Sequence, residues 1–143
     1  MKYKVGYTQG TFDLFHIGHL NVINQAKELC DYLIVGVNSD HLVNEYKHHY
    51  PMICDRHRAA IVSNIKSVDQ CIIVDTLDKS KMADMLHFDA IFIGDDWRGN
   101  PRWVQTEEEL GHKGIKVVFL KHTPDISSTQ IRGVLNNNDN NKH

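Results

Sequence analysis

The chain has 143 residues, with 16 Lys+Arg against 18 Asp+Glu and a formal charge of -2, a balance that excludes the strongly basic face of a nonspecific nucleic-acid binder. Hydrophobic residues make up 41% and charged residues 24%, which excludes an intrinsically disordered chain. No apolar run approaches the ~20 residues of a membrane span, so neither nucleic acid nor membrane is expected as a partner.

The predicted elements follow in order. Tyr3–Tyr7 alternates apolar residues and reads as a strand. Ile17–Cys30 carries apolar residues at helical spacing, and Tyr32–Val37 is a short continuous apolar run, the pattern of a strand buried on both faces. The segment Asn38–Arg58 is long and polar and reads as a loop. Arg58–Ile65 is expected to be helical with Ile61, Val62 and Ile65 inward, followed by a strand at Gln70–Val74 and a helix at Lys79–His87. Ala90–Ile93 is a buried strand, Trp103–His112 a helix, Val117–Leu120 a strand and Ser127–Leu135 a last helix. Alternating strands and helices predict an α/β fold: a single Rossmann-like, doubly wound, parallel five-stranded sheet with helices on both faces. The domain spans residues 1–135, and the Asn-rich residues 136–143 read as a disordered polar tail. Cys30, Cys54 and Cys71 are scattered and odd in number, which argues against a disulfide framework. With no signal-peptide pattern at Met1–Val5, a reduced, cytoplasmic protein is expected.

Ligands of open α/β sheets bind at the carboxyl ends of the strands. Three segments there are chemically rich. The first, Gly10-Thr11-Phe12-Asp13-Leu14-Phe15-His16-Ile17-Gly18-His19, contains neither the dinucleotide-binding glycine fingerprint nor a P-loop. It carries His-x-Gly-His where a strand turns into a helix. Helix-start amides and the helix dipole favour phosphate there. Two imidazoles about one turn apart can donate to phosphoryl oxygens, and Gly18 leaves space for a phosphate near the backbone. In the second, Ser127, Ser128 and Thr129 can cap a helix or cradle phosphates, with Arg132 about one turn on. The third, Gly94–Asn100, contains Asp95 and Asp96, which suit a metal ion, ribose hydroxyls or simply a turn rimmed by Trp97.

These residues in this order resemble the cytidylyltransferase family of the His-x-Gly-His nucleotidyltransferases, particularly its bacterial members that use glycerol 3-phosphate. The matching pieces are Gly10–Asp13 with His16–His19, Asp31-Tyr32-Leu33, His57-Arg58, Val68-Asp69, Ile93–Trp97 and Ile126–Thr129. The resemblance implies transfer of CMP from CTP to a small phosphomonoester, glycerol 3-phosphate first among them, with Mg2+ accompanying CTP and a homodimer as the assembly. It implies catalytic roles for His16, His19, Lys47 and Arg58. Nucleotide binding is implied for Gly10, Thr11, Phe12, His16, Gly18, His19, His49, Asp96, His122, Thr123, Ile126, Ser127, Ser128 and Thr129. Substrate binding is implied for Lys47, Lys79, Asp13 and Trp97. His122 stands where the family more often has an arginine, and His49 where it has a second loop lysine; histidine lacks the bidentate fork and permanent charge of arginine. Two other readings compete. One is an adenylyltransferase using ATP, because the histidine pair does not choose the base. The other is a non-catalytic module that binds nucleotide or, through His48, His49, Cys54 and His57, metal; their spacing matches no standard zinc arrangement.

Overall fold

The computed structural model describes residues 2–121. The expected helix Ser127–Leu135, the tail 136–143 and the candidates His122, Thr123, Ile126, Ser127, Ser128, Thr129 and Arg132 lie outside the described residues. Strands β1 (Tyr3–Gly10), β2 (Cys30–Asn38), β3 (Gln70–Val74), β4 (Ala90–Gly94) and β5 (Lys116–Leu120) form one sheet in the order β3-β2-β1-β4-β5. Every pairing is parallel. Helices α1 (Ile17–Glu28), α2 (Asp40–Lys47), α3 (Asp55–Ser63), α4 (Lys79–Leu86) and α5 (Pro101–His112) connect the strands, with a 3-10 turn at Asp95–Trp97.

The pleat of β2 shows why the sheet is covered twice. Leu33, Val35 and Val37 point to one face and pack with Ile23 and Ala26 of α1 and Val62 of α3. Ile34 points to the other face, in the cluster that holds Met82 and Ala83 of α4 and Trp103 and Leu110 of α5. The expected doubly wound Rossmann-like architecture is therefore present. Strand order reverses between β1 and β4, so the crevice for a ligand opens beyond Gly10 and Gly94, the last residues of those strands.

Several boundaries shift for identifiable reasons. β1 continues to Gly10 because it pairs with β2 as far as Gly10↔Val37. The first helix stops at Glu28, and Cys30 instead begins β2 opposite Tyr3. The loop expected over Asn38–Arg58 contains α2 and the start of α3. Ser39 caps α2 by accepting from the Leu42 amide at 3.1 Å, Leu42 and Val43 are buried, and left-handed His48 ends it. With only Leu42 and Val43 buried among its eight residues, this helix looked like loop. Ile61, expected inward, is 43% exposed, while Arg58 is buried on α3 alongside the expected Val62.

Gly36 lies where β2 crosses Tyr7 of β1. A Cβ there would overlap the Tyr7 hydroxyl and lie 3.0 Å from its Cζ. Gly36→Ala should cost about 1–3 kcal/mol by overpacking. Adding Tyr7→Phe should return part of that loss, read as a positive coupling in urea unfolding. Gly111, in α5, has no neighbour within 4 Å of such a Cβ, so Gly111→Ala should be neutral or stabilising by up to about 1 kcal/mol.

Candidate active site

The loop between β1 and α1 is held in an uncommon path. Phe12 (φ 54°) and Leu14 (φ 51°) are both left-handed and flank Asp13. Such residues need surrounding structure to hold them. Phe12 is buried and packs its ring edge-on to His19, with centroids 5.5 Å apart. The Asp13 carboxylate, 2% exposed, accepts from the amides of Met52 (2.8 Å) and Ile53 (3.0 Å). Asp13 was expected to bind substrate; its carboxylate instead ties this loop to the segment before α3.

His16 is the N-cap of α1, and its side chain and that of His19 form a reciprocal capping box. The His16 Nδ1 accepts from the Gly18 amide at 3.0 Å, and the His16 amide donates to His19 Nδ1 at 3.2 Å. The rings stack with centroids 3.9 Å apart. Because both Nδ1 atoms are acceptors, the proton of each neutral ring sits on Nε2. The His16 Nε2 is buried and has no hydrogen-bond partner among the described residues. Desolvation lowers the pKa of His16. For His19, desolvation and then the neighbouring His16 outweigh Asp13 and bring the value down to about 4. Both rings are therefore neutral donors near pH 7. The stability linked to His19 is present above its unfolded pKa near 6.5 and is lost as pH falls towards 4, because the unfolded chain takes up the proton first. The Gly18 amide is spent on His16, so its contribution is to the cap rather than to an incoming phosphate.

Arg58 does not present its guanidinium to the cavity. It is 1% exposed and uses four hydrogen bonds: to the carbonyls of Ile53 (2.8 Å), Thr11 (2.7 Å) and Asn38 (2.7 Å) and to Asp40 Oδ1 (2.7 Å). The expected catalytic arginine thus joins the end of β1, the end of β2, the start of α2 and α3. Beside it runs a polar chain that the sequence did not announce. Tyr7 donates to Gln9 Oε1 (2.6 Å), Gln9 donates to Asn38 Oδ1 (2.9 Å), and Asn38 donates to Thr11 Oγ1 and the Tyr46 hydroxyl (both 3.3 Å). Burial raises the Tyr7 pKa, which keeps its hydroxyl a donor.

Beyond this chain lies a cavity of about 410 Å³ at the switch point. Of the expected site residues, Gly10, Thr11, Phe12, Asp13, His19, Lys47, Lys79 and Trp97 line it. His16 stacks on His19, and His49 is exposed with its ring against the Tyr50 carbonyl; neither is in the lining, and Asp96 belongs to the 3-10 turn. Residues missed from sequence include Gln9, Asn38, Tyr46, Arg102, Trp103 and Thr106. The signal available for Arg102 and Thr106 was their i,i+4 spacing on α5. Lys79 donates to the Leu77 carbonyl (3.0 Å) and sits 5.6 Å over the Trp103 ring. Burial first, then Arg102, lower its pKa to about 8 against the opposing pull of Asp78. Among the described residues no three His, Cys, Asp or Glu side chains come together to hold a metal ion, so His48, His49, Cys54 and His57 form no such group. None of the described helices is long and apolar enough to cross a membrane.

A doubly wound sheet with two imidazole donors and several cations around its switch point defines a nucleotide-binding α/β protein. The cytidylyltransferase-like family pattern matches residues 7–134. Glycerol-3-phosphate cytidylyltransferase of Bacillus spizizenii is 36% identical over 129 residues, 87% of this chain and 92% of that protein. Ethanolamine-phosphate cytidylyltransferase of Dictyostelium discoideum is 35% identical over 136 residues, 90% of this chain but 36% of that protein. Among solved structures, the lipopolysaccharide core biosynthesis protein of Thermoplasma volcanium matches with a TM-score of 0.70 at 25% identity, covering 85% of this chain and 97% of that one. The chain belongs to the cytidylyltransferase-like family. It is a nucleotidyltransferase.

Removing the Arg58 guanidinium leaves three carbonyls and a carboxylate without their partner. Arg58→Met should cost about 3–5 kcal/mol in urea unfolding, and Arg58→Lys should restore little because it lacks the fork. A loss below about 1 kcal/mol would contradict the structural role given to this residue.

Proposed function

We propose that the protein transfers CMP from CTP to a small phosphomonoester, with glycerol 3-phosphate the leading acceptor, releasing pyrophosphate and forming a CDP-alcohol. The observation that carries this reading is the pair of Nε2–H donors set by the capping box at the start of α1. The acceptor rests on similarity to a glycerol-3-phosphate cytidylyltransferase along most of both chains.

An ionised acceptor oxygen attacks the α-phosphorus in line with the departing pyrophosphate. A phosphate oxygen needs no strong base, so catalysis is positioning and charge stabilisation. The rings of His16 and His19 donate to the α-phosphoryl oxygen and the bridging oxygen that takes the leaving charge. As neutral donors they stabilise that charge without first surrendering a proton. Lys47, at the end of α2 and 5.6 Å over the Tyr46 ring, meets the triphosphate from one side. Lys79 meets the acceptor from the other. Arg58 acts by holding Thr11, Asn38 and α2 in register, a positioning role. Ser127, Ser128 and Thr129, outside the described residues, keep the β- and γ-phosphate role in this proposal. Among the described residues the lining offers cations and one carboxylate, Asp13, already bonded to two amides. Mg2+ therefore fits as an ion carried by the triphosphate and held by substrate oxygens and water, where it neutralises phosphate charge.

His16→Asn retains an N-cap acceptor but has no donor at the Nε2 position, and His19→Ala removes the second ring. Each should lower kcat by about 10²–10³ while the far-UV spectrum stays native. Pyrophosphate release measured with CTP and ATP separately, against glycerol 3-phosphate and phosphoethanolamine, should be fastest for CTP with glycerol 3-phosphate. Near-wild-type turnover in both variants would contradict the mechanism, and preference for ATP would contradict the nucleotide.

A further inference from the structure

We propose that Arg102 and Lys79 form an anion subsite on the α4–α5 wall of the cavity. It holds the acceptor's phosphate and makes the enzyme favour phosphomonoesters with a neutral or acidic remainder over those carrying an ammonium group. This deepens the function proposed above and rests on its premise that the acceptor is a phosphomonoester.

Both side chains line the cavity, each from the first turn of a different helix: Lys79 opens α4, and Arg102 is the second residue of α5. Arg102 has an exposed side chain and makes no ion pair among the described residues. Of the nearby carboxylates, Asp78 attracts Lys79 but caps α4, and Asp84 is paired. Asp78 accepts from the Lys81 amide at 3.1 Å, and Asp84 pairs with Lys113 at 2.7 Å. The lining's own carboxylate, Asp13, faces the amides of Met52 and Ile53. Two cations thus share one wall, and among the described residues the lining's carboxylate, Asp13, is turned to backbone amides instead. Arg102 accordingly contributes to the lowering of the Lys79 pKa.

A phosphate dianion reverses this repulsion. It gains a planar, bidentate donor from Arg102 and a point charge from Lys79. The Trp103 ring, under Lys79, and Thr106 one turn beyond Arg102 give this wall an apolar and hydroxyl surface suited to a polyol. An ammonium-bearing acceptor would bring its own charge to a wall that already carries two. Among the described residues the lining would offer it only Asp13, already bonded to two amides, and the half-exposed Trp97 ring.

The test uses wild-type protein, Arg102→Gln and Lys116→Gln, the last an exposed cation at the opposite end of the sheet. Two measurements are needed: steady-state CMP transfer to glycerol 3-phosphate and to phosphoethanolamine, and equilibrium binding of glycerol 3-phosphate by calorimetry. The expected result for Arg102→Gln is an acceptor KM and Kd raised about tenfold or more, the loss of one charge-assisted contact, with KM for CTP changed much less. The wild-type preference for glycerol 3-phosphate over phosphoethanolamine should narrow in the same variant, and Lys116→Gln should match wild type. If wild type transfers CMP but Arg102→Gln keeps its acceptor KM and its preference, the subsite is overturned and the activity stands. If glycerol 3-phosphate binds and Arg102→Gln weakens it, yet no CMP is transferred, the subsite stands and the proposed reaction falls. If wild type neither binds nor uses glycerol 3-phosphate, both fall.

Discussion

The hydrogen bonds exchanged between His16 and His19 set the start of α1, and the proposed chemistry depends on them. A helix start leaves its first amides without partners, and a capping box supplies acceptors for them. Here the acceptors are imidazoles. Each gives up its Nδ1 lone pair to the backbone and so carries its proton on Nε2. Stacking and burial keep the rings neutral. The same contacts that begin α1 therefore place the protons of both rings on Nε2, beside the positive end of the helix dipole. One of them, His16 Nε2, is buried without a partner among the described residues. Leaving a buried donor unpaired costs about 1–3 kcal/mol, which an incoming acceptor oxygen would recover.

The pair works only if the loop before it stays in place, and two buried charges secure that loop. Asp13 fastens it to the amides before α3, and Arg58 fastens its Thr11 carbonyl to the ends of β2 and α2. Their functional contribution is geometric. Removing either loosens a backbone whose Phe12 and Leu14 already occupy left-handed conformations.

The sheet was legible from the sequence because strands buried on both faces must be apolar along their length, as in Tyr32–Val37. The histidine pair was legible because its spacing matches the geometry of one helical turn. Helix α2 was hidden because only Leu42 and Val43 are buried in it. Arg58 and Asp13 were recognised as important, but their bonds to backbone carbonyls and amides were not legible, because a charged residue's name does not reveal what it faces. The second cation wall escaped notice because Lys79 and Arg102 meet through the packing of α4 on α5. The chain's overall charge of -2 likewise concealed a cavity lined by Lys47, Lys79 and Arg102.

The central claim is that His16 and His19 are neutral Nε2–H donors held for a phosphoryl group. Long-range 1H–15N correlation spectra of the histidine rings, recorded from pH 4 to 8 with and without CTP, test it most directly. The account predicts Nε2–H tautomers for both rings at pH 7, a His19 titration near pH 4, and downfield movement of both Nε2 protons when CTP binds. Protonated or Nδ1–H rings at pH 7, or Nε2 signals that CTP leaves unmoved, would contradict it.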